Sequence, residues 1–298
     1  MESFLSGLGG KIAEKWLTTL VLPGLLFAGA VLVAFALPHE HALDVHLLLA
    51  RTRAATAELG RSGAASVILV VVMTLTAASA AALAARGCGS LVQWLWLRQW
   101  RGPLARRLVE RRRARWTAAD DALADHLAET RDDPARRDDP VRRDELAAVR
   151  NGISLAYPAR PVWIADRARS VDIRVWHAHG IDLGSAWPRL WLVVPDSTRT
   201  EIVAARETFE RAGGLVGWGL LYTALGAIWW PSAVAGLATA LTGWHRTRAA
   251  VAGYADLVEA AADLNAKVLA TELDLLEPGA PFSRDVGLKV TRLLRKGT

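Results

Sequence analysis

Apolar positions along the chain gather into three uncharged blocks, separated by stretches where charged and apolar residues alternate at helical spacing. The first block, Leu17 to Leu37, is closed by Pro38. At about 1.5 Å per residue it is long enough to cross a hydrocarbon layer of ~30 Å. Pro23 falls inside it, where neighbouring helices in a membrane tolerate a kink. A cleaved leader is the alternative, since Lys11 and Lys15 precede the block, but its length and the second block soon after it favour a retained span. The second block, Ala64 to Ala85, includes the run Val67-Ile68-Leu69-Val70-Val71-Val72 and is far too long for a buried strand. The third, Gly213 to His245, is interrupted by Trp229-Trp230-Pro231. It predicts a tight hairpin of two short spans with Trp229 and Trp230 at the far headgroup layer; a re-entrant hairpin is the alternative.

Orientation follows from the arginines and lysines near the block ends. Arg86, Arg98, Arg101, Arg106, Arg107 and the run Arg111-Arg112-Arg113 follow the second block. Arg206 and Arg211 precede the hairpin, and Arg246 and Arg248 follow it, whereas the loop from Pro38 to Gly63 carries only Arg51, Arg53 and Arg61. This places both termini and the middle of the chain inside, with the first loop and the tryptophan turn outside. The predicted fold class is an all-α membrane protein: four transmembrane helices as two hairpins, with a cytoplasmic helical domain. Its divisions are 1–86 (N-terminal transmembrane hairpin), 87–212 (cytoplasmic helical region), 213–245 (C-terminal hairpin) and 246–298 (heptad-like helix and basic tail). The chain has 298 residues, 52% hydrophobic and 22% charged, with a net charge of +6. Because the basic residues border apolar blocks, that charge fits an anionic membrane surface better than nucleic acid. A single cysteine, Cys88, excludes a disulfide framework.

Among the inward segments, Leu91 to Trp100 carries Trp94, Trp96 and Trp100 beside Arg98, the pattern of an interfacial helix with rings at headgroup depth. A helix is expected from Leu104 to about Glu129, with Pro103 at its first position. The repeat within Arg131 to Arg143, with its two prolines, predicts a solvated linker, followed by a helix from near Val141. Trp163 to His179 reads as a helix stopped by Gly180. Trp187-Pro188-Arg189-Leu190-Trp191 is an aromatic and basic cluster whose default role is packing. Thr198 and Glu201 have capping-box spacing and predict a helix running into the third block. Gly213 and Gly217 give a small-xxx-small packing face. Beyond the hairpin, Ala250, Tyr254, Leu257, Ala261, Leu264, Val268, Thr271 and Leu275 alternate in steps of four and three. This heptad-like seam serves either a homo-oligomer or packing within the chain. The acids Asp256, Glu259, Asp263, Glu272, Asp274 and Glu277 predict a close approach to the basic stretch Arg98 to Arg115. The tail Arg284 to Lys296 is basic and amphipathic, suited to an inner leaflet or to fraying.

Catalytic signatures are missing. No phosphate-binding Gly-Lys-Ser/Thr loop, nucleophile elbow or His-Glu-x-x-His helix occurs, and no charged residue lies within the blocks, which disfavours ion-coupled transport. Three sets could be considered for a metal: the Asp-Asp pairs of the repeat, opposed by the arginines beside them; His39, Glu40, His41, Asp44 and His46, which no helical period aligns; and His177, His179 and Asp182, whose two histidines diverge on a helix and which lack a third strong ligand. The expected cofactor, metal and catalytic sets are therefore empty.

From Tyr157 onward the chain resembles a group of multi-pass bacterial membrane proteins, mostly actinobacterial, with no established activity. The resemblance rests on Tyr157-Pro158 with Arg160-Pro161, on His179-Gly180-Ile181-Asp182, and on Trp187-Pro188-Arg189-Leu190 with Pro195 before a helix entering an apolar hairpin. Where that group more often has Thr-Arg-Leu-Gly-Asn, this chain has Val162-Trp163-Ile164-Ala165-Asp166. The resemblance implies architecture and transfers no catalytic residue. The expected function is that of a non-enzymatic scaffold, sensor or partner-docking subunit at the inner face of the plasma membrane. Its expected partners are the lipid bilayer, an unidentified cytoplasmic protein and a second copy of the chain, with no nucleic acid. An oligomeric pore or channel-like effector is the first alternative, and a membrane-bound metal-dependent enzyme the second.

Overall fold

A computed structural model describes residues 21–37, 39–132, 139–277 and 279–296. Lys11, Lys15, the start of the first apolar block, Pro38 and positions 133–138 of the Asp-Asp-Pro repeat lie outside the described residues. The described chain is all-helical: ten α-helices and no strand. In order these are α1 (Leu22–Ala36), α2 (Val45–Arg61), α3 (Gly63–Leu97), α4 (Pro103–Asp132), α5 (Pro140–Ile153), α6 (Trp163–His179), α7 (Leu183–Val193), α8 (Asp196–Leu225), α9 (Trp230–Glu272) and α10 (Arg284–Arg295). They form two compact units: one ends at Gln93 and resumes over Glu210–Thr247, and the other comprises Trp94–Phe209 with Arg248 onward.

The first unit is held together by small residues. On α3 the buried positions are Ala78, Ala82, Ala85, Gly89 and Gln93, a stripe recurring every three or four residues. Alanine and glycine along such a stripe let backbones approach closely, the usual device where apolar helices meet one another. Gly24 of α1 lies on the Ala78 carbonyl, and Gly217 of α8 lies so close to Ala85 that a methyl group there would overlap its carbonyl oxygen. Phe27 of α1 packs on Trp218 and Tyr222 of α8, with ring centroids 5.9 and 5.1 Å apart. The arms α8 and α9 touch directly, Gly219 against Ala240 and Gly236 against Thr223. Their turn closes through Ser232 Oγ, which donates to the Tyr222 carbonyl at 2.7 Å.

The remaining surface of α3 is apolar and exposed. Ile68, Leu69 and Met73 are each more than 60% exposed, and Val67, Val70, Val71 and Val72 are also open. This helix is the one element among the described residues that is long and apolar enough to cross a membrane. Leu22–Ala36 is apolar but shorter. The apolar parts of α8 and α9 are diluted by glycine, threonine and tryptophan and bordered by Arg211 and Arg246.

The loop expected between Pro38 and Gly63 is largely α2. Its N-terminus is capped by Asp44, whose carboxylate accepts from the Leu47 amide at 2.9 Å. Apolar and polar residues are mixed along it and none of its side chains is buried, so no buried face marks it as a packed helix.

The second unit has a conventional apolar core. Val171 and Val175 of α6, Leu183, Ala186 and Leu190 of α7, and Val290 and Leu294 of α10 are all buried there. From α9 the buried set is Val251, Ala255, Val258, Ala261, Ala262, Ala266, Leu269 and Ala270. The heptad-like seam meets this core in part: Ala261 is buried in it and Tyr254, Leu257 and Leu275 pack against it, whereas Leu264 is 79% exposed and Val268 42%. Packing within the chain therefore uses one edge of the seam and leaves Leu264 and Val268 open. The basic tail is neither frayed nor free. As α10 it buries Val290, Thr291 and Leu294, and Gly287 abuts the His179 carbonyl. Thr291 Oγ1 donates to the Gly180 carbonyl at 2.8 Å and accepts from the Asp182 amide at 2.9 Å, fixing the α6–α7 turn. Gly180 itself has φ +69, a left-handed value that glycine adopts without strain, which explains why α6 stops there.

One helix start differs from expectation. α8 begins at Asp196, so Thr198 lies inside the first turn and no capping box forms there. Pro188, in the aromatic and basic cluster expected to pack, lies within α7, where Trp187 and Trp191, one turn apart, pack at 5.8 Å.

Candidate functional site

The strongest polar constellation of the second unit surrounds Asp166. Its side chain is 2% exposed. It accepts from the Ala159 amide at 3.1 Å and the Arg160 amide at 2.9 Å, while Arg112 of α4 reaches it at 2.8 Å. Arg112 also donates to the Ile153 carbonyl at 3.0 Å. A carboxylate with two amides and a guanidinium is well satisfied, so this group ties α4, the end of α5 and the start of α6 together. The neighbouring Arg167 is also buried and pairs with Asp256 of α9 and with Ser170 Oγ at 3.1 Å. Further along, Arg174 meets Glu259 at 2.6 Å and His179 Nε2 lies 2.7 Å from Asp263 Oδ1. Three acids of α9, Asp256, Glu259 and Asp263, thus bond to α6 rather than to Arg98–Arg115, although Arg113 lines one cleft with Glu259 and Asp263.

Beside this ladder lies an open cleft of about 870 Å³. Glu259 and Asp263 of α9 line it together with Arg174, as do Arg113 and Trp116 of α4 on one wall and Arg169, Ile173 and His177 of α6 on the other. Spaced four apart, the α6 residues share a helix face. Between the walls runs 155–159, where Tyr157 meets Trp116 edge-on at 5.5 Å. Arg113 is held in place: its Nε donates to the Pro158 carbonyl at 2.9 Å and its guanidinium lies 5.1 Å from the Tyr157 ring centre. Trp116 is fixed by its Nε1, which donates to the Ser154 carbonyl at 2.9 Å. Among the described residues Arg169 and His177 have no hydrogen-bond or ion-pair partner.

The residues singled out from the sequence fall elsewhere. Trp94 and Trp96 occupy the last turns of α3, which continues without a break from Gly63 rather than starting a separate interfacial helix. Arg98 lies 4.5 Å over the Trp94 ring, and Trp100 Nε1 donates to the Leu95 carbonyl at 2.7 Å. Trp230 opens α9 and is exposed. Trp229 Nε1 donates to the Ala42 carbonyl at 2.8 Å, and His39 Nδ1 lies 2.8 Å from the Ile228 carbonyl oxygen. Gly213 abuts Gln93 and Gly217 abuts Ala85. His39 and Asp44 serve chain closure and capping, His179 and Asp182 bond to Asp263 and Arg295, and Cys88 is a half-buried free thiol. Among the described residues no group of three or more His, Cys, Asp or Glu is placed to hold a metal ion.

One carboxyl of α6 titrates abnormally. Asp172 is raised above its ordinary value of 3.8 by partial burial and then by the Asp182 carboxylate, with Arg169 opposing. The folded chain therefore takes up this proton more readily than the unfolded one. Its contribution to stability is complete below pH 3.8 and is lost as pH rises through the elevated value. Ionised Asp172 is thus a net cost at neutral pH. Asp172→Asn is expected to raise the unfolding midpoint modestly at pH 7, with the advantage shrinking as the pH approaches 4; melts of both proteins across that range provide the check.

Comparison of the chain with protein families, with curated proteins and with solved structures finds no match.

Proposed function

We propose that this chain is a non-enzymatic integral protein of the plasma membrane, crossing four times with both termini cytoplasmic, whose charged helical unit docks a partner protein or senses a cytoplasmic state. The observation that carries the reading is the α3 surface. A continuous band of open valine, isoleucine, leucine and methionine exceeds what a water-soluble monomer tolerates, and lipid removes the conflict. The buried side of the same helix is alanine and glycine, the reverse of a water-soluble core helix.

The topology gains support from two hydrogen bonds. His39 and Ala42, from the connection expected outside, bond to Ile228 and Trp229 in the hairpin turn expected on that same side. Arginine borders the opposite ends of these helices, at Arg86, Arg211 and Arg246. The exposed Leu264 and Val268 keep a second copy of the chain, or a docked helix, among the expected partners. Paired reporter fusions test the arrangement. A fusion near residue 140 is expected to be active only in the cytoplasm, and one inserted at residues 41–44 only outside. Activity of the residue-140 fusion outside the cell, or a purified chain that stays dispersed in plain buffer, overturns the proposal.

A further inference from the structure

We infer that the cleft between α4, residues 155–159 and α6 binds a small organic phosphate monoester with an apolar substituent. The inference goes beyond the membrane-docking reading and does not depend on it, because every residue involved lies in the second unit.

Charge is the first argument. Like charges sharing a cleft repel, and unpaired guanidinium groups there are accounted for when an anion sits between them. Two carboxylates line the same cleft, Glu259 paired with Arg174 and Asp263 bonded to His179, so the anion must sit on the side of Arg113, Arg169 and His177. Asp172, the acid whose carboxyl feels Arg169, makes no ion pair with it. This leaves Arg169 and His177 on one wall, and on the other the outer nitrogens of Arg113, whose Nε alone is used by the Pro158 carbonyl. A carboxylate is saturated by one guanidinium fork, whereas a phosphate monoester presents three acceptor oxygens and two charges to donors on several sides.

Preorganisation is the second argument. Arg113 is anchored by a carbonyl and a ring, so ordering it on binding costs little. Trp116 and Tyr157, each fixed by its own contacts, supply an aromatic wall beside the cations, which sets an organic phosphate above the bare ion. The volume of about 870 Å³ lies within the range of small-ligand sites.

Calorimetric titration of the full chain in a neutral, phosphate-free detergent tests this, with phenyl phosphate, inorganic phosphate, benzoate and dihexanoyl phosphatidic acid as probes. Phenyl phosphate or the short-chain phosphatidic acid is expected to bind saturably, at least tenfold tighter than inorganic phosphate or benzoate. The tighter of these two says whether the phosphate comes from a soluble ester or a lipid. The double variant R169Q/H177Q is expected to lose at least tenfold in affinity with an unchanged unfolding midpoint, while Tyr157→Leu narrows the preference over inorganic phosphate. Failure of both monoesters to bind, benzoate binding as well as either, or a double variant binding like the parent overturns the inference. None of these outcomes bears on the reporter fusions, so the two readings fail separately.

Discussion

Alanine at Gly217 is expected to destabilise the first unit, while alanine three residues earlier, at Gly214, is expected to leave it unchanged or more stable. Both glycines lie within α8, so both substitutions gain the same helix propensity, about 1 kcal/mol. What differs is the space for the added methyl group. At Gly214 no heavy atom lies within 4 Å of it. At Gly217 it would overlap the Ala85 carbonyl oxygen and come within 2.8 Å of the Gly89 amide nitrogen, and both are backbone atoms of α3 that cannot rotate away. Relief requires the two helices to separate, which costs about 1–3 kcal/mol for ordinary overpacking and more where the obstacle is backbone. The cost exceeds the propensity gain, and Gly217→Leu enlarges it. Thermal unfolding of the detergent-solubilised chain measures the difference directly. Equal midpoints for the 214 and 217 alanine variants would mean that α3 and α8 do not meet in this way.

Parts of this arrangement were legible from residue order, and the reasons differ by element. α6 runs from Trp163 to His179 because a glycine able to adopt positive φ stands immediately after it, and such a stop signal is local. The α8–α9 turn is equally local, set by Trp229-Trp230-Pro231 between apolar arms. α7 was not assigned as a helix because Trp187-Pro188-Arg189-Leu190-Trp191 signals packing without a helical period; the Trp187–Trp191 contact and the buried Leu190 accompany the helix around Pro188. The partner of the α9 acids was misread because the comparison was between dense runs of charge. Arg98–Arg115 is such a run, but Arg167, Arg174 and His179 are spread among neutral residues and become one charged face only when α6 is wound. The buried face of α9 was only partly legible for a related reason: alanines fill most of it, and alanine contributes little to a hydrophobic pattern compared with the exposed Leu264 and Val268. The cleft and the Asp166 site left no sequence signal at all. Asp166 is recognised by the amides of Ala159 and Arg160, and a backbone donor has no residue type by which to find it.

Removing Arg112 is expected to be among the most damaging single changes in the second unit. Arg112→Ala leaves the Asp166 carboxylate, 2% exposed, with only the two amides to hold its charge, and it frees the Ile153 carbonyl as well. Breaking one side of a buried ion pair costs about 3–5 kcal/mol, because the remaining charge cannot reach water. Arg112 is 17% exposed, so some solvent reaches the site and the lower end of that range is expected. Asp166→Ala should cost a similar amount by orphaning two backbone donors together with the guanidinium, whereas Asp166→Asn keeps an acceptor for the amides and should cost less. The double variant R112A/D166A separates pairing from packing. If the pair acts as one unit, the double change costs clearly less than the sum of the two single ones, since the second substitution removes a charge already stranded. Denaturant unfolding followed by far-ultraviolet circular dichroism gives all four values. Strict additivity, or an Arg112→Ala variant within 1 kcal/mol of the parent, would remove this ion pair as the tie between α4 and the start of α6. In that case the apolar core of α6, α7, α9 and α10 would hold the unit together without it, since none of its buried side chains comes from α4.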